Sequence, residues 1–72
     1  MSQALIENYL LENGEASIRE ISDAINVPYR SILAQIQRYN KWKHTTKKSI
    51  EKRYDAHTRT YLYRVVDWRK AN

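Results

Sequence analysis

The chain has no cysteine, no phenylalanine, one glycine and one proline among its 72 residues. Without cysteine there is no disulfide framework, which fits a reducing intracellular compartment. Two histidines without a thiolate cannot build a structural zinc site from this chain alone. A single glycine excludes a glycine-rich phosphate loop, and neither a GxSxG elbow nor an HExxH helix occurs. His44 and His57 have no evident acid–base partner in the sequence and read as surface histidines. The expectation is therefore no catalytic residue, no metal, no cofactor and no small-molecule effector. Apolar runs are equally scarce. None exceeds three residues, as in Tyr9-Leu10-Leu11. A membrane-spanning helix needs roughly 20 mostly apolar residues and a signal peptide about 7–15, so the expected setting is soluble and cytoplasmic, with no membrane partner.

What is present is charge, and it is sorted. Residues 1–26 carry five acids (Glu7, Glu12, Glu15, Glu20, Asp23) and one base (Arg19), a net of −4. Residues 27–72 carry twelve bases and three acids (Glu51, Asp55, Asp67), a net of +9. A basic half beside an acidic half suits an oriented contact with a polyanion; the plainer alternative is a solvated basic surface. The length corresponds to one domain over 1–72, small enough to bury only about 60% of its unfolded surface.

Periodicity divides the chain into three helices and a hairpin. Over 2–13, Leu5, Ile6, Tyr9 and Leu10 recur at helical spacing and form one apolar face. Ser2 can cap the start, and Asn13-Gly14 supplies the left-handed stop. Ala16 to Ile18 is a connector with the makings of a single-bridge strand. Ser17 and Glu20 have capping-box spacing, opening a second helix over about 18–26 with Ile18, Ile21 and Ile25 as its buried stripe and Ala24 at the edge. Asn26-Val27-Pro28 is the break, and Pro28 suits the first position of a third helix. That helix runs over about 28–40, with Ile32, Ile36 and Tyr39 inward, Leu33 beside them, and Arg30, Ala34, Gln37, Arg38 and Lys41 on the opposite side.

After Lys41 the composition turns to threonine, tyrosine and valine. Residues 59–66 give the strongest strand signal in the chain, and Trp42 to Tyr54 a weaker partner, so a hairpin is expected over about 43–66 with Asp55-Ala56-His57-Thr58 as its turn. Tyr61, Tyr63 and Val65 share one face of the second strand and are expected to point at the helices. The final residues, 69–72, are expected to fray. The fold class is α+β, mainly α: a three-helix core followed by a two-stranded β-hairpin.

The stretch from Ile21 to Ile36 places Ile21 and Ile25 on one helix, Val27 in the turn, and Ile32 and Ile36 on the next. This pattern, within the order helix–helix–helix–hairpin, resembles the winged helix-turn-helix family of DNA-binding domains, across about residues 2–66. The family has a small alanine where this chain has Ser22 and a turn glycine where it has Asn26. Asparagine is the next best residue for a left-handed backbone, so the second departure is mild.

The resemblance implies that helix 28–40 enters the major groove of double-stranded DNA and that the hairpin, as the wing, lies over the phosphate backbone. Tyr29, Arg30, Ala34 and Gln37 are then the base-contact candidates. Arginine makes two parallel hydrogen bonds to guanine, glutamine reads a base edge, and alanine allows close approach to a thymine methyl. Ser31, Arg38, Lys41, Lys43, Lys47, Lys48, Lys52, Arg53 and Arg59 are the phosphate candidates, which supply affinity and register without sequence information. Lysines on an exposed strand also discourage edge-to-edge pairing, which is the structural alternative for the hairpin. Arg64 is assigned a structural role or a partnership with Asp67.

Tyr9, Tyr39, Tyr61 and Tyr63 fall at core spacing. Tyr54 lies near the wing, Trp42 is expected to cap the third helix, and Trp68 to cover helix one or a partner subunit. The resulting expectation is a small sequence-specific transcriptional regulator, with 72 residues leaving no room for an effector domain. It would act as a homodimer or with a partner regulatory protein. The competitors are a winged-helix protein-interaction module and a binder of RNA or single strands.

Overall fold

The computed structural model describes residues 2–69, with side chains from residue 3. Its order is α1 (Ser2–Asn13), α2 (Ile18–Ile25), α3 (Tyr29–Lys41), α4 (Lys43–Thr46), β1 (Lys48–Asp55) and β2 (Thr60–Asp67). The side chain of Ser2, expected as a cap, and residues 70–72, expected to fray, lie outside what is described. Arg69 is described and is tied back to Asp67. This is a small α+β fold, mainly helical, closed by a two-stranded antiparallel hairpin.

Local chemistry sets the first three helix boundaries. Gly14 at φ +83° ends α1, its N–H donating to the Leu10 carbonyl at 2.7 Å. At the start of α2 the capping box is complete. Glu20 N donates to Ser17 Oγ (3.1 Å), and Ser17 N donates to Glu20 Oε1 (2.9 Å). Asn26 at φ 55° ends α2 in the left-handed region. Ser22 Oγ donates to the Val27 carbonyl at 2.7 Å, so its hydroxyl fastens the turn. Pro28 is the N-cap and not the first helical residue. Its ring fixes φ near −57° but leaves ψ extended at 147°, and its carbonyl accepts from Ser31 N and Ile32 N.

The larger correction follows Lys41. Residues 43–46, expected as strand, form a helical turn. The Trp42 carbonyl accepts from Thr45 N and Thr46 N, and Lys47 at φ 61° closes the turn. Packing overrides the β-propensity of the threonines here. The Trp68 indole, returning from the end of β2, meets His44 edge-to-face at 5.8 Å and donates to Ser49 Oγ at 3.2 Å. Trp68 thus covers α4 and the base of the hairpin, not helix one. The hairpin starts at Lys48, and its turn falls one residue later than expected because Arg59 adopts φ 57° ahead of the strand.

The core is one cluster: Ile6 and Leu10 from α1, Ala16, Ile18 and Ile21 from the connector and α2, Ile32 and Ile36 from α3, and Ile50 and Tyr63 from the hairpin. Tyr9, Ile25, Leu33, Tyr39 and Val65 pack partly buried around it. Leu5 is 47% exposed, against expectation. Helix α1 buries a narrow i, i+4 seam, and Leu5 lies about 100° around the helix from Ile6. The connector joins the sheet as anticipated: Ala16 bridges Tyr63, with N–O distances of 3.0 and 2.8 Å.

Two contacts dock the hairpin on the helices. Asn40, near the end of α3, holds both backbone groups of Ile50. Tyr39 donates its hydroxyl to Glu7 of α1, and Glu7 lies 3.7 Å from Lys48 Nζ, joining α1, α3 and β1. Burial, then the Glu7 carboxylate, push the Tyr39 phenol above its ordinary range.

Candidate nucleic-acid interface

Helix α3 presents a polar face. Arg30, Ala34, Gln37 and Lys41 recur at i, i+4, i+7 and i+11, so they line one side; all are exposed except Ala34, which is half-buried. Ser31 is half-buried. Arg38 turns to the α1 side, where with Leu5, Glu7, Gln35 and Tyr39 it lines a cleft of about 650 Å³. Tyr29, the first residue of α3, is 54% exposed. Burial, then the phenols of Tyr29 and Tyr61, push the Tyr63 pKa up.

Alternation along the strands divides the hairpin bases between two surfaces. Ile50, Lys52 and Tyr54 of β1 pair with Val65, Tyr63 and Tyr61 of β2 and share the helix-facing side. Ser49, Glu51, Arg53 and Asp55, with Val66, Arg64, Leu62 and Thr60, form the outer side. Lys52 and Arg53, neighbours in sequence, therefore point in opposite directions. Lys52 Nζ lies 4.6 Å over the Tyr61 ring. Arg53 makes a two-pronged ion pair with Glu15 at 2.8 and 2.7 Å, and this guanidinium holds the Glu15 carboxyl below the usual carboxylate range.

Other bases are also engaged. Lys43 lies over Trp68 at 5.9 Å and Lys41 over Trp42 at the same distance. Lys47 and Arg59 are exposed at left-handed backbone positions. The expected Arg64–Asp67 pair is not made: three residues apart on one strand they face opposite sides, and Asp67 accepts from Arg69 instead. That partner lowers the Asp67 pKa.

Tyr61 is the other correction. It lies on the helix-facing side as expected but beyond the reach of the helices, 46% exposed, beside Tyr54 at 55%. Their adjacency is a site feature the sequence reading missed: the turn expected at 55–58 sets Tyr54 opposite Arg59, whereas the observed turn, one residue later, sets it opposite Tyr61. Trp42 joins the C-cap of α3 to α4 and is 59% exposed. His44 packs on Trp68, and the His57 backbone N–H caps Asp55 in the turn. Among the described residues no helix is long and apolar enough to cross a membrane.

No protein-family model, curated protein or solved structure matches the chain.

Proposed function

We propose that this chain is a winged helix-turn-helix domain that binds double-stranded DNA as a small regulator, with no catalytic activity of its own. In this reading α3 lies in the major groove and the hairpin is the wing. The observation that carries it is the outward face of α3: Arg30, Ala34, Gln37 and Lys41 in line, with two bases, two small or polar side chains and no carboxylate. Arg30 and Gln37 carry the donor geometry that base edges require. The α1 carboxylate Glu7 and the connector carboxylate Glu15 are turned toward hairpin bases, at Lys48 and Arg53.

Arg30, Gln37 and the nearby Tyr29 are the base-reading side chains. Lys41, Lys47, Lys52 and Arg59 are the phosphate contacts with the freest approach. One copy offers a single helix face, so binding as a pair of copies on repeated half-sites fits best. The test is selection of bound sequences from a random duplex library, followed by titration of the selected site. Recovery of a defined motif whose preference relaxes in Arg30→Ala supports the reading; recovery of no motif rejects sequence-specific binding.

A protein-interaction role is the second reading. It is favoured by the α1–α3 cleft, with half-exposed Leu5 at its edge. It requires binding to a protein partner that survives loss of Arg30 and is abolished by Leu5→Asp.

A further inference from the structure

Beyond the last residues of the hairpin that touch the helices, two tyrosines stand together. Tyr54 and Tyr61 are directly opposed in the ladder. Their rings meet edge-to-face at 5.4 Å and 72°, and both are about half exposed. The Lys52 ammonium sits over Tyr61. The same side of the sheet continues inward to the buried Tyr63. Two residues along a strand span about 7 Å, so the pair stands roughly that far outward from Tyr63. An aromatic strip thus runs from Tyr63 out along the hairpin to Tyr61 and Tyr54.

The hairpin's charges are divided along the same line. Positions 50, 52 and 54 and their partners 65, 63 and 61 carry one base and no acid, whereas Glu51 and Asp55 occupy the outer side. Around Tyr54 and Tyr61 this face therefore offers a polyanion no carboxylate; Asp67 shares the face only at its inner end, opposite Lys48. Core packing does not account for the pair: the core ends at Ile50 and Tyr63, and both outer tyrosines remain about half exposed.

We propose that the Tyr54–Tyr61 pair is an aromatic wedge that stacks against bases at a deformable duplex step beside the site read by α3. This rests on the DNA-binding reading above. A stacked aromatic ring strengthens base binding by roughly 10-fold to 100-fold, while opening a base step opposes it and is easiest at pyrimidine–purine steps such as TA. The wedge therefore acts as a reader of flexibility: it adds affinity where the flanking step opens readily and none where the step is stiff. Lys52, held over Tyr61, supplies the positive charge for the flanking phosphate.

The experiment uses the whole chain and the duplex recovered from a random library, with 2-aminopurine at the flanking step. Two versions are compared, one with TA and one with an A-tract at that step. The wild-type protein is expected to raise the 2-aminopurine emission of the TA duplex and to bind it at least tenfold more tightly than the A-tract duplex. The Tyr54→Ala/Tyr61→Ala double variant is expected to lose both effects while still binding the A-tract duplex like the wild type. Tyr54→Phe/Tyr61→Phe, which keeps the rings, is expected to retain them, so a folding defect in the alanine variant does not leave the question open. Equal binding of both duplexes by the wild type, without an emission change, overturns the wedge and leaves the DNA reading intact. Tighter binding to the single strand than to either duplex overturns it in favour of a single-strand platform. No duplex binding by the wild type overturns wedge and DNA reading together.

Discussion

The Asn40 side chain takes the place of a neighbouring strand for Ile50: its Nδ2 donates to the Ile50 carbonyl at 2.9 Å, and its Oδ1 accepts from the Ile50 N–H at 2.7 Å. One amide thereby satisfies both main-chain groups of a core residue and fixes the hairpin's base to the end of α3. Removing it leaves a buried donor and acceptor without partners, which costs more than the bonds themselves contribute. Asn40→Ala is expected to lower stability by about 2–3 kcal/mol. At roughly 4–8 °C per kcal/mol for a domain this small, thermal denaturation should show a fall of about 8–24 °C. The Ile50 amide should also exchange faster with solvent. An unchanged melting temperature rejects the docking role.

Ser17→Ala removes one half of the capping box on α2 and is expected to cost about 1 kcal/mol, with Thr in its place retaining most of the stability. Chemical denaturation of the three proteins makes the comparison.

Ser22 sets two effects against each other. Alanine gains about 0.5 kcal/mol of helix propensity. It loses the hydroxyl that donates to the Val27 carbonyl at 2.7 Å, worth about 1 kcal/mol and more where the acceptor is left unpaired. Ser22→Ala is therefore expected to destabilise by about 0.5–1 kcal/mol. A more stable alanine variant would show that the turn does not depend on the hydroxyl.

Stability should fall at both ends of the pH scale. Arg53 lowers the Glu15 pKa, the Thr58 hydroxyl that of Asp55, and Arg69 that of Asp67. A lowered folded-state pKa gives stability that is present above the unfolded value and lost as pH falls through the folded one. The acid limb therefore begins at the ordinary carboxylate values and continues below them. Its Glu15 component should vanish in Arg53→Met. Tyr39 and Tyr63 are raised, first by burial. Their contribution is present below the ordinary tyrosine value of about 10 and is lost as pH rises beyond it. Absorbance titration of the tyrosines should show these two ionising late, with Tyr39→Phe removing one late step.

Much of this architecture is legible from residue types alone. Ser17-x-x-Glu20, Asn13-Gly14 and Asn26 mark helix ends because capping and left-handed backbone are local chemistry. The turn at α4 is not local: Thr45 and Thr46 favour strand, and the helical turn forms under Trp68, which arrives from the end of β2. Leu5 misleads because a helix face broad enough to include it exceeds the seam that α1 buries. The division of the hairpin bases was available, since adjacent residues of a strand point to opposite sides; Lys52 and Arg53 could not share a surface. The ion pairs of Glu7 with Lys48 and Glu15 with Arg53 join distant elements, and no spacing rule reveals them.

If the chain binds DNA as proposed, that division should separate the bases by their effect on affinity. Arg53→Ala, on the outer side and engaged by Glu15, is expected to change DNA affinity less than twofold. Lys47→Ala should weaken binding to all sequences about equally and flatten the salt dependence by about one ion. Arg30→Ala should relax preference at one base position. Competition titrations with the selected site and a scrambled duplex measure all three.

The most direct measurement is the affinity of the whole chain for a random duplex as salt is varied. With about four phosphates neutralised by Lys41, Lys47, Lys52 and Arg59, log Kd should rise linearly with log salt, with a slope of about 4. That is a loss of a few hundred-fold for a fourfold increase in salt. A flat dependence, or no binding to duplex at low salt, would contradict the proposed DNA interface.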